Sequence, residues 1–201
     1  HYIHPHINGD MVRYFEWMGA AIHTADHRAG AMHGKQFLVD CVYAGIDDSN
    51  IYGRLDFVGK PPETDFDLVV NLESWAADEK RPRRALRVDV RVEAGKLRSW
   101  KAGFPDGEKP LATSEDPSAE VKIALLRNFE FRLPLAWLLA KPVSSAAIGA
   151  GGKATTPAAT LLRLRFSLWQ NRLPVDALPL EGWIDLRLLT EEDLAAVALS
   201  L

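Results

Sequence analysis

The histidines are the side chains of this sequence best suited to bind a metal ion, and all six lie within the first 33 residues. His23 and His27 have the i, i+4 spacing that places two imidazoles on one helix face, and His33 would complete a set of three zinc ligands. Three nearby glycines instead predict a loop, in which histidines hydrogen-bond to carbonyls and carboxylates. A zinc site of His23, His27 and His33 is therefore kept as an alternative to ordinary loop histidines.

The carboxylates and the thiol offer little catalytic chemistry. Asp47 and Asp48, like Asp65 and Asp67, lie in predicted turns, where acidic residues are expected for local reasons. A Ca²⁺ ion held by turn oxygens is a weaker alternative. The single cysteine, Cys41, lies in an apolar run, which favours a buried and inert thiol. The sequence therefore predicts that this chain is not an enzyme by itself.

The six tryptophans are the remaining candidates, because an exposed indole ring can stack on the apolar face of a sugar. Tryptophan is highly buried on average, so core packing is the competing interpretation. Core positions are predicted for Trp137, Trp169 and Trp183, and exposed positions are kept open for Trp17, Trp75 and Trp100.

Period-2 alternation of apolar and polar residues predicts the elements that position these side chains. It is clearest at Leu86–Glu93, at Phe129–Leu133 and at Leu162–Leu168. Asx and Ser residues at 47–50 separate two apolar runs and predict a hairpin. We expect an all-β fold, an antiparallel β-sandwich resembling immunoglobulin or carbohydrate-binding modules, with a short C-terminal helix that begins at Thr190.

Composition limits the partners and the location. The net charge of −3 and the absence of basic clusters with interleaved aromatic residues argue against nucleic acid. No apolar stretch is long enough to span a membrane, and no signal peptide precedes the first strand. We expect one domain over residues 1–201, cut from a longer chain since it starts at His1, with a mobile loop at 142–159 and a cytoplasmic location.

A series of motifs in the first 60 residues resembles a known family. The series comprises Tyr14–Ala20, Arg28–Gly34, Tyr43–Asp47 and Asn50–Phe57. It is similar to the C-terminal accessory region of glycoside hydrolase family 57, the α-amylase-like enzymes. The resemblance implies a parent glycoside hydrolase whose catalytic carboxylates lie in an N-terminal barrel outside this chain, so hydrolysis is assigned to no residue here.

Three hypotheses of function follow. The first is a non-catalytic, carbohydrate-associated domain that binds α-glucan through Tyr14, Trp17, Arg28 and His33. The second is a structural domain that docks onto the N-terminal catalytic domain of the same polypeptide through apolar residues around Trp17 and Met18. The third is a small metal-dependent enzyme that uses the N-terminal histidines.

Overall fold

The structure is a computed structural model that describes residues 1–10, 15–26, 37–76, 79–139 and 161–188. Within these ranges the chain forms two antiparallel β-sheets and almost no helix. The predicted all-β sandwich is therefore confirmed. The helix found in this part of the chain, α1 (Ala136–Leu139), is far too short to cross a membrane.

The two sheets have five and seven strands. Across the five-stranded sheet the order is β1 (Ala21–Thr24), β2 (Val39–Ile46), β3 (Asn50–Phe57), β9 (Asn128–Pro134) and β8 (Lys122–Leu125). Across the seven-stranded sheet it is β11 (Leu173–Leu178), β10 (Leu161–Gln170), β4 (Phe66–Trp75), β5 (Arg84–Glu93), β6 (Lys96–Gly103) and β7 (Ala112–Thr113). The last strand, β12 (Ile184–Arg187), pairs with the first half of β10, on the edge that β11 uses for the second half.

The main core lies between the inner faces of the two sheets. In β5 and β10 buried and more exposed residues alternate, as the period of two in the sequence requires. Phe129 and Phe131 of one sheet contact Phe166 of the other, with ring centroids 6.4 and 6.0 Å apart. Burying each such ring contributes roughly 1.5–3 kcal/mol to stability. These aromatic contacts join the two layers at the centre of the sandwich.

A second, smaller core covers the outer face of the five-stranded sheet. Ile3, Ile7 and Trp17 pack there against Tyr52 of β3. The first residues add to the sheet edge, because the Ile3 amide donates to the Ile46 carbonyl at 2.9 Å. The N-terminal segment is thus a cover over one outer face of the sandwich.

One prediction about the elements needs correction, and two others lie outside the described residues. The loop predicted around the N-terminal glycines is wrong at Ala21–Thr24, which pairs with β2 as an edge strand. The glycines flank this strand without interrupting it. The predicted C-terminal helix from Thr190 and the loop at 142–159 both lie outside the described residues.

Candidate ligand-binding groove

The outer face of the seven-stranded sheet carries rows of paired side chains. One row runs through Trp169, Asp67, Arg91 and Ser99, on β10, β4, β5 and β6. The next row runs through Ser167, Val69, Asp89, Lys101 and Thr113, and reaches β7. Residues directly opposite each other on paired strands point to the same face, so both rows lie on the face turned away from the core.

These rows form an open groove of about 660 Å³. It crosses the sheet from β10 to β7, a distance of roughly 19 Å at four strand spacings. Trp169 and Arg172 lie at one end, and Thr113, Ser114 and Glu115 lie at the other. The apolar side chain of Val69, only 6% exposed although it is on the outer face, helps to form the floor.

Trp169 is the aromatic side chain of the groove's outer-face rows. It is half-buried near the end of β10, and its indole N–H donates to the Ser167 Oγ at 2.9 Å. This hydrogen bond favours one orientation of the ring. Trp100 also lines the groove, but it pairs with the core residue Val90 and packs partly against the main core.

Ion pairs hold the charged side chains of the groove in place. Arg91 donates to Asp67 at 3.2 Å, to Asp65 at 3.3 Å and to Glu93 at 3.4 Å. Asp89 accepts from Arg87 at 2.8 Å and lies 3.9 Å from Lys101. Exposed pairs of this kind add little to stability, typically less than about 1 kcal/mol each.

The unused donors and acceptors of these ion-paired groups remain able to bind polar groups. A carboxylate can accept about four hydrogen bonds and a guanidinium can donate five, so the pairs leave capacity on both partners. The groove therefore combines an aromatic surface, an apolar floor and oriented polar groups. Its chemistry is that of hydrogen bonding and stacking.

The sequence-predicted site residues that the structure describes, Trp17 and His23, do not line this groove. Trp17 is 4% exposed and packs in the second core, with its ring 6.1 Å from that of Tyr43, so the expectation of an exposed Trp17 platform is wrong. The enclosing N-terminal segment is the physical reason, because Ile3 and Ile7 cover the same sheet face. Tyr14, Arg28 and His33 lie outside the described residues.

Of the three proposed zinc ligands, one lies in the part of the chain that the structure describes. His23 is exposed on the edge strand β1, and His27 and His33 fall outside that part. No group of three or more His, Cys, Asp or Glu side chains with metal-binding geometry occurs among the described residues. Asp47, one of the turn carboxylates considered for Ca²⁺, instead accepts hydrogen bonds from its own turn and from Tyr52.

The prediction of a core position for Trp169 is wrong, although the sequence carries a signal for its true position. Trp169 has the same strand parity as Arg163, Arg165 and Ser167, which are the polar positions of β10. Parity alone therefore assigns it to the outer face. Of the other two tryptophans predicted in the core, Trp137 is half-buried and packs against the main core, and Trp183 is half-buried.

Large apolar side chains are also exposed outside the groove, in and near the turn before β1. Phe15 and Met18 are 75% and 57% exposed, and Ile22 on β1 and Tyr2 are exposed as well. This surface lies where the sequence-based docking hypothesis placed its contacts. Docking onto a catalytic domain stays a prediction.

The chain is a β-sandwich with an open groove on the outer face of its seven-stranded sheet. No protein-family model matches the chain, and neither the curated proteins nor the solved structures give a significant match. The resemblance to family 57 glycoside hydrolases therefore stays a prediction.

Proposed function

We propose that this chain is a non-catalytic carbohydrate-binding domain that holds an oligosaccharide in the groove of the seven-stranded sheet. The observation that carries the proposal is the position of Trp169 at one end of an open groove lined by polar side chains. A sugar ring has an apolar face, which packs on an indole, and a rim of hydroxyl groups, which need donors and acceptors. The groove supplies both.

The shape of the groove favours an extended ligand over a single small molecule. It is open along its length and crosses five strands. An open, shallow surface buries only part of a small ligand, whereas a chain of sugars contacts it at several points. The paired charges support the proposal further, because side chains already held by neighbours lose less conformational entropy when a ligand binds.

The family resemblance suggests which ligands to test first. Family 57 enzymes act on α-glucans, so maltooligosaccharides, glycogen and starch are the first probes. Because the catalytic carboxylates of that family belong to a different domain, the proposal assigns binding and no bond cleavage to this chain. Other polysaccharides of different charge and linkage complete the panel.

The test compares two tryptophan variants on the same sheet face. Affinity electrophoresis in gels containing each polysaccharide, followed by calorimetry with the best ligand, measures binding by the wild type, Trp169→Ala and Trp75→Ala. We expect Trp169→Ala to weaken binding about tenfold or more, since losing a stacked aromatic contact of about 1.4 kcal/mol corresponds to that factor.

Trp75 is the matched control for this experiment. It is also half-buried on β4, but it lies at the opposite end of the sheet, outside the groove. Its indole donates to Glu73 at 2.9 Å and the Arg163 guanidinium stacks on it at 4.9 Å. We expect Trp75→Ala to bind like the wild type. Absence of binding to every polysaccharide, or equal losses in both variants, would contradict the proposal.

A further inference from the structure

Arg172 occupies an unusual backbone position at the end of the groove. Gln170 of β10 pairs with Leu173 of β11, so Asn171 and Arg172 form a two-residue hairpin loop. Their φ angles are +52° and +64°, as in a type I′ turn. Asparagine tolerates this region, but the second position strongly favours glycine, because a Cβ atom is crowded there.

An arginine at this position costs backbone free energy that glycine would not. Strained backbone positions cluster at functional sites, so a strained arginine in a groove suggests a use for its side chain. The use suggested by the structure is the contribution of Arg172 to the lining of the groove, at the same end as Trp169. A cation thus lines the same end of the groove as the aromatic residue that carries the proposed sugar contact.

The other cations of the groove differ from Arg172 in being paired. Arg91, Arg87 and Lys101 each have a carboxylate neighbour on the sheet. Within the described part of the chain the Arg172 side chain makes no hydrogen bond or ion pair, so its guanidinium is available to a ligand. The groove lining as a whole has four cations and three carboxylates, although the chain has a net charge of −3.

We infer that Arg172 selects an anionic sugar, and that the groove binds an acidic oligosaccharide in preference to a neutral one. A guanidinium binds a carboxylate, a sulfate or a phosphate through two parallel hydrogen bonds. The ring of the charged sugar packs on Trp169 while its anionic group meets Arg172. This inference rests on the proposed function and names the substrate class of the same groove.

The test uses three polymers that separate the sources of charge. Polygalacturonate carries carboxylates, dextran sulfate carries sulfates, and amylose is neutral. We expect the wild type to bind at least one acidic polymer about tenfold or more tightly than amylose, with affinity that falls as salt rises. Which acidic polymer binds identifies the anionic group.

Arg172→Gly is the decisive variant, because it is expected to separate stability from binding. Glycine relieves the backbone strain, so the thermal midpoint should rise by about 2–4 °C. Binding to the acidic polymer should weaken about tenfold, and binding to amylose should be unchanged. Arg172→Lys retains the charge but not the paired donors. Its affinity for the acidic polymer should lie between those of the wild type and Arg172→Gly.

Arg127→Ala is the control for loss of a positive charge. Arg127 is 73% exposed and lies in the loop between β8 and β9, away from the groove. We expect it to bind every polymer like the wild type. Equal binding of acidic and neutral polymers, or wild-type affinity in Arg172→Gly, would overturn the inference while leaving the proposed function intact. Failure to bind any of the polysaccharides would overturn both.

Discussion

Asp47 closes the hairpin between β2 and β3 with one buried carboxylate. One of its oxygens accepts from the Ser49 and Asn50 amides at 2.8 and 2.7 Å, and the other accepts from the Tyr52 hydroxyl. Burial alone would raise the pKa of Asp47, but these hydrogen bonds together outweigh it and hold the pKa below its ordinary value. Burial raises the pKa of Tyr52, and the hydrogen bond to Asp47 raises it further.

This arrangement predicts an acid-sensitive contribution to stability. Because the pKa of Asp47 is lower in the folded than in the unfolded chain, its contribution is present above about pH 4 and is lost as the pH falls through the folded value. We expect the thermal midpoint of the wild type to exceed that of Asp47→Asn at pH 6, and the difference to shrink toward pH 2. A difference that stays constant over this range would contradict the assignment.

Two local features can be predicted from the sequence alone: the turn at Asp47 and the burial of Cys41. Asp47 lies between two apolar runs, where an Asx turn is expected, and Cys41 lies inside one of them. The structure confirms both the turn and the burial, and burial raises the pKa of the Cys41 thiol. Trp17 was harder to place, because what covers it is a segment without regular structure.

At the scale of the strand, Gly53 shows how closely the inner faces fit. It lies on β3 opposite Phe131, and a Cβ atom built on it would be 2.2 Å from the Phe131 Cε1. We expect Gly53→Ala to lower the free energy of unfolding in urea by about 1–3 kcal/mol, the usual cost of overpacking a core.

Gly59 provides the comparison for this substitution. It has a positive φ of +80° and nothing within 4 Å of its built Cβ atom, so Gly59→Ala tests backbone strain without a packing clash. That variant should lose about 1 kcal/mol. A loss in Gly53→Ala no larger than this would show that Phe131 moves freely and that the core is looser than the structure indicates.

The alternation of residues predicted the long strands well and the short ones poorly. β5 and β10 have many side chains that repeat with period two, so their inner faces could be identified directly. β11 was not predicted, because Pro174 and Asp176 are unusual in strands; it forms at a sheet edge, where a missing N–H is tolerated. The groove was not predicted because it depends on which strands are neighbours, and β10 and β4 are far apart in sequence.

At the scale of the molecule, the two outer faces of the sandwich differ. The N-terminal segment covers the five-stranded sheet and fills its outer face with Ile3, Ile7 and Trp17. The seven-stranded sheet carries the open groove. One outer face is therefore covered by the chain itself, and the groove on the other faces the solvent.

Glu130 holds the N-terminal cover in place. Its substitution tests whether the cover and the groove are independent of each other. Its carboxylate is 2% exposed and accepts from the amides of Asn8 and Gly9 at 2.9 and 2.8 Å. Glu130→Ala leaves both donors without this partner, and we expect it to lower the free energy of unfolding by about 2–3 kcal/mol. Hydrogen exchange should accelerate at the Ile3, Asn8 and Gly9 amides before it accelerates in β10.

The exposed Glu181 gives the control, since Glu181→Ala removes the same charge from a residue beyond the seven-stranded sheet's β11. It should leave exchange in the N-terminal segment unchanged. Because the cover and the groove lie on opposite faces, Glu130→Ala should also retain the polysaccharide binding of the wild type under conditions where it is folded. Loss of binding together with faster exchange only at the N-terminus would mean that the cover, rather than the groove, forms the ligand surface.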